Sequence, residues 1–312
     1  MQKLLVVTGI ALFNLMLTGC ASTLKTPSEN YNSRVSIIVI HHTTANFEDS
    51  YKILTRPSSN SVSSHYLIPE PDDQTYSKSV VQTYQLVPES LRAWHAGKSY
   101  WSGKTGLNDQ SIGIELVNQT WCHASGEGTN PYTDKVDRLC FYPDFADSQL
   151  ALLVELLEDI LERYPEIKPT NIIGHSDIAP DRKIDPGPRF PWQRLARLGY
   201  GAWFDDDTVV RYWERFREQP LPLLNVQKAL GTYGYKIDPT GEHDEQTRNV
   251  LRAFQMHFRP SEVTSVATPD STAILFALID KYYPEQLEEL LHVDIETQIE
   301  PVPDRVAAPA GT

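Results

Sequence analysis

Apolar residues along this chain follow two rhythms. The run Val35-Ser36-Ile37-Ile38-Val39-Ile40 is short, β-branched and almost wholly apolar, which predicts a strand buried on both faces. The stretches Ser111 to Val117 and Asn171 to His175 have the same character and predict two more strands. Between these two, Leu150, Leu153, Val154, Leu157, Ile160 and Leu161 recur at helical spacing, with Ser148 as N-cap and Pro165 as the stop. Buried strands separated by helices predict an α/β domain, a mixed central β-sheet flanked by helices, over residues 35–200. Three further helices are predicted at 224–230, 244–258 and 269–283, the second with Val250, Leu251, Phe254 and Phe258 on one face. They form a small C-terminal three-helix domain over 222–286. The acidic, aromatic and Pro-containing stretch 201–221 reads as a linker, and 287–312 as a tail with little apolar pattern.

The N-terminus stands outside this pattern. Lys3 precedes an apolar run from Leu4 to Leu17, short for a membrane span and suited to a secretory signal. The run ends in Leu17-Thr18-Gly19-Cys20, which resembles the bacterial lipobox, where the Cys is lipidated and becomes the first mature residue. That resemblance implies a signal peptide over 1–19, then a lipidated Cys20 and a polar tether through residue 34. Ala21 in place of Asp implies the outer membrane, with the chain facing the periplasm. The plainer alternative is an ordinary signal peptide followed by a chance Cys. Cys122 and Cys140 then remain, and an even pair in an exported chain reads first as a disulfide. A thiolate zinc site with His123 is the other reading, but the pair lacks the usual C-x2-C spacing.

Charge narrows the choice of partner. A formal net charge of -13 argues against nucleic acid, whose binding draws on Lys and Arg. It argues equally against an electrostatic grip on anionic lipid. A polysaccharide or peptide substrate stays open.

Polar groups sit at strand ends where a buried strand would not choose them. His41 follows Val39-Ile40, Glu115 lies inside Ile114-Glu115-Leu116, and His175 follows Ile172-Ile173-Gly174, with Asp185 in a Pro/Gly loop beyond. Buried polar groups are costly unless paired or bound to metal, so several at neighbouring strand ends suggest one shared site. Two His, one carboxylate and a water make the composition of a catalytic zinc site. Amide hydrolysis there also needs a proton acceptor and a partner for the developing oxyanion, for which Glu115 and Lys183 are the candidates. Each residue alone has a plainer reading: a hydrogen-bonded core His, a half-exposed strand Glu, a solvated Lys.

Five segments, taken together, resemble the zinc-dependent N-acetylmuramoyl-L-alanine amidase family, which includes the peptidoglycan recognition proteins. They are Val39-Ile40-His41-His42-Thr43, Ser63-Ser64-His65-Tyr66-Leu67-Ile68, Ala93-Trp94-His95-Ala96-Gly97, Asn108 to Glu115, and Gly174-His175-Ser176-Asp177 through Pro188. They occur in the family's order. The resemblance implies Zn2+ held by His41, His175 and Asp185, Glu115 activating the water, and Lys183 stabilising the tetrahedral oxyanion. It implies Trp94 and His95 in the substrate cleft. His42 stands where relatives often carry an aromatic residue, and adjacent strand residues point to opposite faces, so only one of the His pair reaches the site. With the lipobox in front, the chain resembles the family's lipid-anchored outer-membrane members, acting on peptidoglycan and muropeptides as a monomer. The C-terminal helices resemble a peptidoglycan-binding domain through Val226-Gln227-Lys228-Ala229-Leu230, Gly234-Tyr235, Thr247 and Phe254-Gln255. A packing module is the bland alternative. The 118–146 segment, with its two Cys, reads as an insertion at the cleft rim.

Three other readings fit parts of the pattern. Non-catalytic recognition proteins of the superfamily typically lack a zinc ligand, whereas all three positions are filled here. Non-haem iron oxygenases also use two His and one carboxylate. They commonly place His and carboxylate one residue apart on one strand, unlike His175 and Asp185. A structural lipoprotein with an inert first domain would have no need of the catalytic residues.

Overall fold

The computed structural model describes residues 33–124 and 138–292, with Thr26 and residues 28–30. The signal segment, Cys20, most of the tether and residues 293–312 lie outside the described residues.

The first strand, β1 (Ile37–His42), is buried along its whole length, as its β-branched run requires. Helix α1 (Phe47–Thr55), which sequence pattern did not predict, starts at Asn46, whose side chain accepts from the Asp49 N–H. Short strands β2 (Tyr66–Ile68) and β3 (Tyr84–Gln85) follow, then the two-residue pair β4 (Tyr100–Trp101) and β5 (Lys104–Thr105). The second long strand is β6 (Ser111–Leu116). A hairpin of β7 (Trp121–Ala124) and β8 (Arg138–Phe141) comes next, with Cys122 and Cys140 joined across it as a disulfide. Helix α2 (Asp147–Arg163) buries Leu150, Leu153, Leu156, Leu157 and Ile160. It starts earlier than a Ser148 cap predicts: the Gln149 side chain takes the Ala146 N–H instead. The last strand, β9 (Ile172–Gly174), runs straight into a single helical turn, α3 (His175–Ile178).

The central sheet has the order β3-β2-β6-β1-β9. β2, β6, β1 and β9 pair in parallel and β3 is antiparallel, so the sheet is mixed as expected. Alternation along the strands sorts its two faces. Ile38, Ile40, Ile112, Ile114 and Leu116 join one buried cluster with α2. Ile37, Val39 and Ile173 join a different cluster with Trp101, Ile178 and Ala179, and most of its members come from the C-terminal helices.

Helix α4 (Trp192–Arg197) packs into the α2 cluster, and the C-terminal helices are α5 (Asp206–Glu218), α6 (Leu223–Tyr233), α7 (Glu245–Phe258), α8 (Pro269–Tyr282) and α9 (Leu287–Leu291). The three predicted helices are present within a few residues. Asp244 caps α7 by accepting from the Thr247 N–H, and Thr268 caps α8 ahead of Pro269. Two expectations need correction. The stretch 201–221 contains α5 rather than an irregular linker, because Val209, Tyr212 and Phe216 fall on one helical face and pack into the shared cluster. The tail does not begin at residue 287: α9 continues the fold, with Leu290 buried.

The C-terminal helices are therefore the second cover of the sheet rather than an appendage. Trp101 is fully buried between the two regions, its ring edge-on to Tyr233 and Tyr235, its Nε1–H donating to Thr170 O. Gly234 closes the contact at φ +141, where a Cβ would lie 2.8 Å from both Ser102 Oγ and the Trp101 ring. One shared core predicts one cooperative unfolding transition. Calorimetry of the metal-free chain should show it, and Trp101→Ala should move it as a whole, by about 3–5 kcal/mol. Two separate transitions, with only one moved by Trp101→Ala, would contradict the shared core.

Candidate active site

Strand alternation aims His41 and Glu115 at the same place. On β1, Ile37, Val39 and His41 share a face, and on β6, Ser111, Gly113 and Glu115 do. The parallel register sets His41 directly beside Glu115 and Val39 beside Gly113. His175 arrives from the neighbouring strand end as the first residue of α3. Asp185 comes from the loop beyond, tied in by the Ser176 N–H donating to its backbone carbonyl at 2.8 Å.

The three candidate ligands converge. His41 Nδ1 lies 2.9 Å from His175 Nδ1 and 3.1 Å from Asp185 Oδ2, and His175 Nδ1 lies 3.0 Å from the same oxygen. All three residues are buried, and their donor atoms lie within 4.8 Å of one another. A relay behind His41 settles its proton. Ser111 Oγ donates to Leu107 O at 2.6 Å, so it accepts from His95 Nε2–H, 3.1 Å away. His95 Nδ1 is then an acceptor, filled by His41 Nε2–H at 3.0 Å. His41 Nδ1 is left with a bare lone pair facing a carboxylate oxygen. Two lone pairs set against each other in a buried site are relieved by a cation, so the donor set fits the tetrahedral N/O ligation of zinc.

The protonation states agree with that fit. Burial holds the His175 imidazole down to about 3, against the opposing pull of Asp185. Burial would raise Asp185, but the imidazoles of His175 and then His41 beside it outweigh that and hold the carboxyl well below its usual range. Burial lowers His95 well below its usual value, and the neighbouring imidazoles add to it. His42 lines the cavity too, contrary to the expectation that only one of the His pair reaches the site; its imidazole is likewise lowered by burial, and its Nδ1–H donates to Pro186 O at 3.0 Å, clamping the loop beside Asp185.

Glu115, Lys183, His175 and Asp185 line one cavity of about 280 Å³, with His42, Thr43, Ser63 and Ile184 also on its walls and His41 outside its lining. Burial pushes the Glu115 carboxyl up to about 7, with Asp185 reinforcing and His41 and Lys183 opposing the rise. Its Oε2 is buried with no hydrogen-bond partner among the described residues. A carboxylate poised near neutrality beside a polarising centre is suited to take and return a proton.

The two residues expected in the cleft sit differently. His95 reaches the cavity, but both of its ring nitrogens are taken, by His41 and Ser111, so it backs His41 rather than offering an open contact to substrate. Its ring lies so close over Gly113 that a Cβ there would sit 2.4 Å from it. Trp94 is 51% exposed and is not among the cavity-lining residues. Its backbone exchanges two hydrogen bonds with Ser63, which does line the cavity. Cys122 packs with Ile184, so the disulfide hairpin does touch the cavity wall.

Sequence reasoning missed the residues that hold this arrangement. Asn108 Oδ1 accepts from the His95 and Ala96 N–H groups. Arg182 donates to Ala96 O and Lys98 O. Ser111 carries the relay. All three lie in or beside the quoted motifs, where their side chains had no assigned task.

Comparison with known proteins is direct. A family profile described as N-acetylmuramoyl-L-alanine amidase matches residues 31–188. A peptidoglycan binding domain profile matches residues 222–275. The N-acetylmuramoyl-L-alanine amidase AmiD of Escherichia coli K12 is 42% identical over 250 residues, 80% of this chain and 84% of that protein. The 1,6-anhydro-N-acetylmuramyl-L-alanine amidase AmpD of Enterobacter cloacae is 44% identical over 114 residues, 36% of this chain and 49% of its own. The crystal structure of AmpDh3 from Pseudomonas aeruginosa in complex with anhydromuramic pentapeptide superposes with a TM-score of 0.74 at 40% identity. It covers 86% of this chain and 99% of that one.

The raised Glu115 value carries a sign. A carboxyl whose folded value lies above its ordinary one destabilises the fold once ionised, so stability falls as pH rises from the ordinary value toward about 7. In the metal-free chain, Glu115→Gln should therefore raise the melting temperature at pH ~8 and raise it less at pH ~5. An equal gain at both pH values would contradict the burial of an ionising Glu115.

Proposed function

The chain belongs to the N-acetylmuramoyl-L-alanine amidase family, and on that footing we propose that it works with zinc, from a lipid anchor, on peptidoglycan and its soluble fragments. It is a hydrolase of the amide bond between N-acetylmuramic acid and the L-alanine of the stem peptide. The anhydro-muramyl forms belong to the substrate range, on the strength of relatives whose names and bound ligand carry them.

The observation that carries the zinc reading is the buried triangle of His41 Nδ1, His175 Nδ1 and Asp185 Oδ2. Zinc, when bound, lowers the pKa of water to about 7 and polarises a carbonyl. The chain's own residues supply the rest. His95 and Ser111 keep His41 in the tautomer that offers Nδ1. Glu115 accepts a proton from the attacking water as its oxygen bonds to the carbonyl carbon. The same carboxyl passes that proton to the alanine nitrogen as the C–N bond breaks. Lys183, on the same cavity wall, offsets the negative charge that develops on the carbonyl oxygen. Ionised Asp185 and neutral His175 are the states the ligand set requires.

Anchoring rests on sequence. The Leu17-Thr18-Gly19-Cys20 pattern supports a lipid on Cys20, and Ala21 supports the outer membrane with the enzyme facing the periplasm. Among the described residues no helix is long and apolar enough to cross a membrane. A short tether from Cys20 confines the enzyme to nearby wall, which suits turnover and remodelling. The peptidoglycan binding domain match over residues 222–275 supports wall contact by the C-terminal module.

A digest of purified peptidoglycan and muropeptides with the chain from residue 21 onward, read by mass spectrometry, tests the reading. Stem peptides beginning with L-alanine should be released, the release abolished by chelator and restored by zinc. Tight wall binding without cleavage at any zinc level would move the protein to the recognition class. Two substitutions separate the roles. His41→Ala should lose the metal. Glu115→Ala should keep it while turnover drops about 100- to 10,000-fold. Metal-loaded Glu115→Ala that still turns over at the wild-type rate rules Glu115 out as base. Lys183→Met should lower kcat about 100-fold, and an unchanged kcat would remove it from the oxyanion.

A further inference from the structure

Helix α3 is a single turn, four residues long, and it begins with His175. One turn has almost no stability of its own, because helix nucleation is unfavourable. Its orientation, and with it the aim of His175, is set by whatever touches it. The strongest contact is the side chain of Asp177, which is 1% exposed.

Asp177 accepts three hydrogen bonds. Oδ2 takes the Gly174 N–H at 2.8 Å, which closes the start of the turn. The other two donors come from far along the chain. Tyr235 O–H donates to Oδ1 at 2.6 Å across 58 residues, and His257 Nδ1–H donates to Oδ2 at 2.8 Å across 80. Both belong to the C-terminal helical module, Tyr235 just after α6 and His257 inside α7. The His257 ring is stacked on Trp192 at 3.9 Å, which holds its Nδ1 in place. Further contacts follow the same loop. Arg252 donates to Pro180 O at 2.7 Å, and Ile178 and Ala179 lie in the module's own apolar cluster.

We propose that Asp177, Tyr235 and His257 are positioning residues for the metal centre. Through them the C-terminal module sets the placement of His175 directly, and of Asp185 through the Ser176 N–H to Asp185 O bond. The proposal rests on the reading that His41, His175 and Asp185 hold zinc. It gives the module a second task beside wall contact: it completes the site. Ligands must be held within about 0.5 Å of their working geometry, and here the hold crosses from one region of the chain to another. A buried carboxylate that loses one of its three donors is freer to shift, and α3 shifts with it.

The test uses the soluble chain from residue 21 onward, wild type against Tyr235→Phe, His257→Phe and His257→Asn. Tyr235→Phe deletes one oxygen. His257→Phe keeps an aromatic ring beside Trp192 and loses the donor, while His257→Asn loses the ring and keeps a donor near the position of Nδ1. Zinc affinity is read by competition with a chromogenic chelator, coordination by the visible spectrum of the cobalt-substituted protein, and turnover on a soluble muramyl peptide. The melting temperature of each metal-free variant is read alongside.

Tyr235→Phe and His257→Phe should weaken zinc binding about 10-fold and alter the cobalt spectrum. They should lower kcat and leave KM within about twofold. His257→Asn should melt lower than His257→Phe yet bind zinc more tightly, a reversal that loss of packing alone does not produce. If zinc affinity and kcat match wild type in Tyr235→Phe and His257→Phe, the positioning role is overturned. It is overturned equally if zinc affinity tracks the metal-free melting temperature across all three variants. A wild-type chain that takes up no zinc would instead bring down the metal reading, and this proposal with it. Wild type decides that reading, and the variants decide this one.

Discussion

Two imidazole nitrogens and a carboxylate oxygen, buried and within about 3 Å of one another, are the constraint on which the rest of this structure turns. Such a triangle is costly in an apolar interior unless a cation sits against it, and it is useful only if each donor is aimed. The fold supplies the aim in layers. The parallel register of β1 and β6 brings Glu115 beside His41. Gly113 leaves room for the His95 ring, whose relay to Ser111 keeps the His41 lone pair turned inward. His42, one residue on, lines the cavity and fastens the loop behind Asp185 through Pro186. Neighbouring residues thus have different tasks because successive side chains leave the strand in different directions.

The second cover of the sheet matters as much as the sheet. Helix α2 closes one face, and the C-terminal helices close the other, in the same cluster that holds Ile37, Val39 and Ile173. Val39 is two residues from His41, and Ile173 two from His175. The packing that stabilises the module and the packing that supports the candidate ligands are therefore largely one body of contacts. A module that serves only to hold wall would have no need of Trp101, Gly234 and Tyr235 inside that shared core.

How much of this is legible in the sequence follows from how local each cause is. The strands and α2 announce themselves through short-range periodicity, and strand alternation alone separates His41 from His42. The candidate ligand set is legible through ordered motifs, because His175 and Asp185 are close in the chain. Helix α5 is hidden because a charged, aromatic composition masks the spacing of Val209, Tyr212 and Phe216. The start of α2 is displaced because Gln149, not Ser148, satisfies the free N–H. His95 reads the same in sequence whether it faces a cleft or backs another His, and only the position of Ser111 decides between them. The bonds from Tyr235 and His257 to Asp177 span 58 and 80 residues, with no local pattern to betray them.

Crystals of the chain from residue 21 onward, grown with zinc and measured on both sides of the zinc absorption edge, test the central claim most directly. The account predicts one strong anomalous peak about 2 Å from His41 Nδ1, His175 Nδ1 and Asp185 Oδ2, with His95 behind His41 and Tyr235 and His257 still on Asp177. A peak ligated by His42 or by Glu115 in place of one of the three, or no peak in the cavity of a zinc-activated preparation, would contradict it.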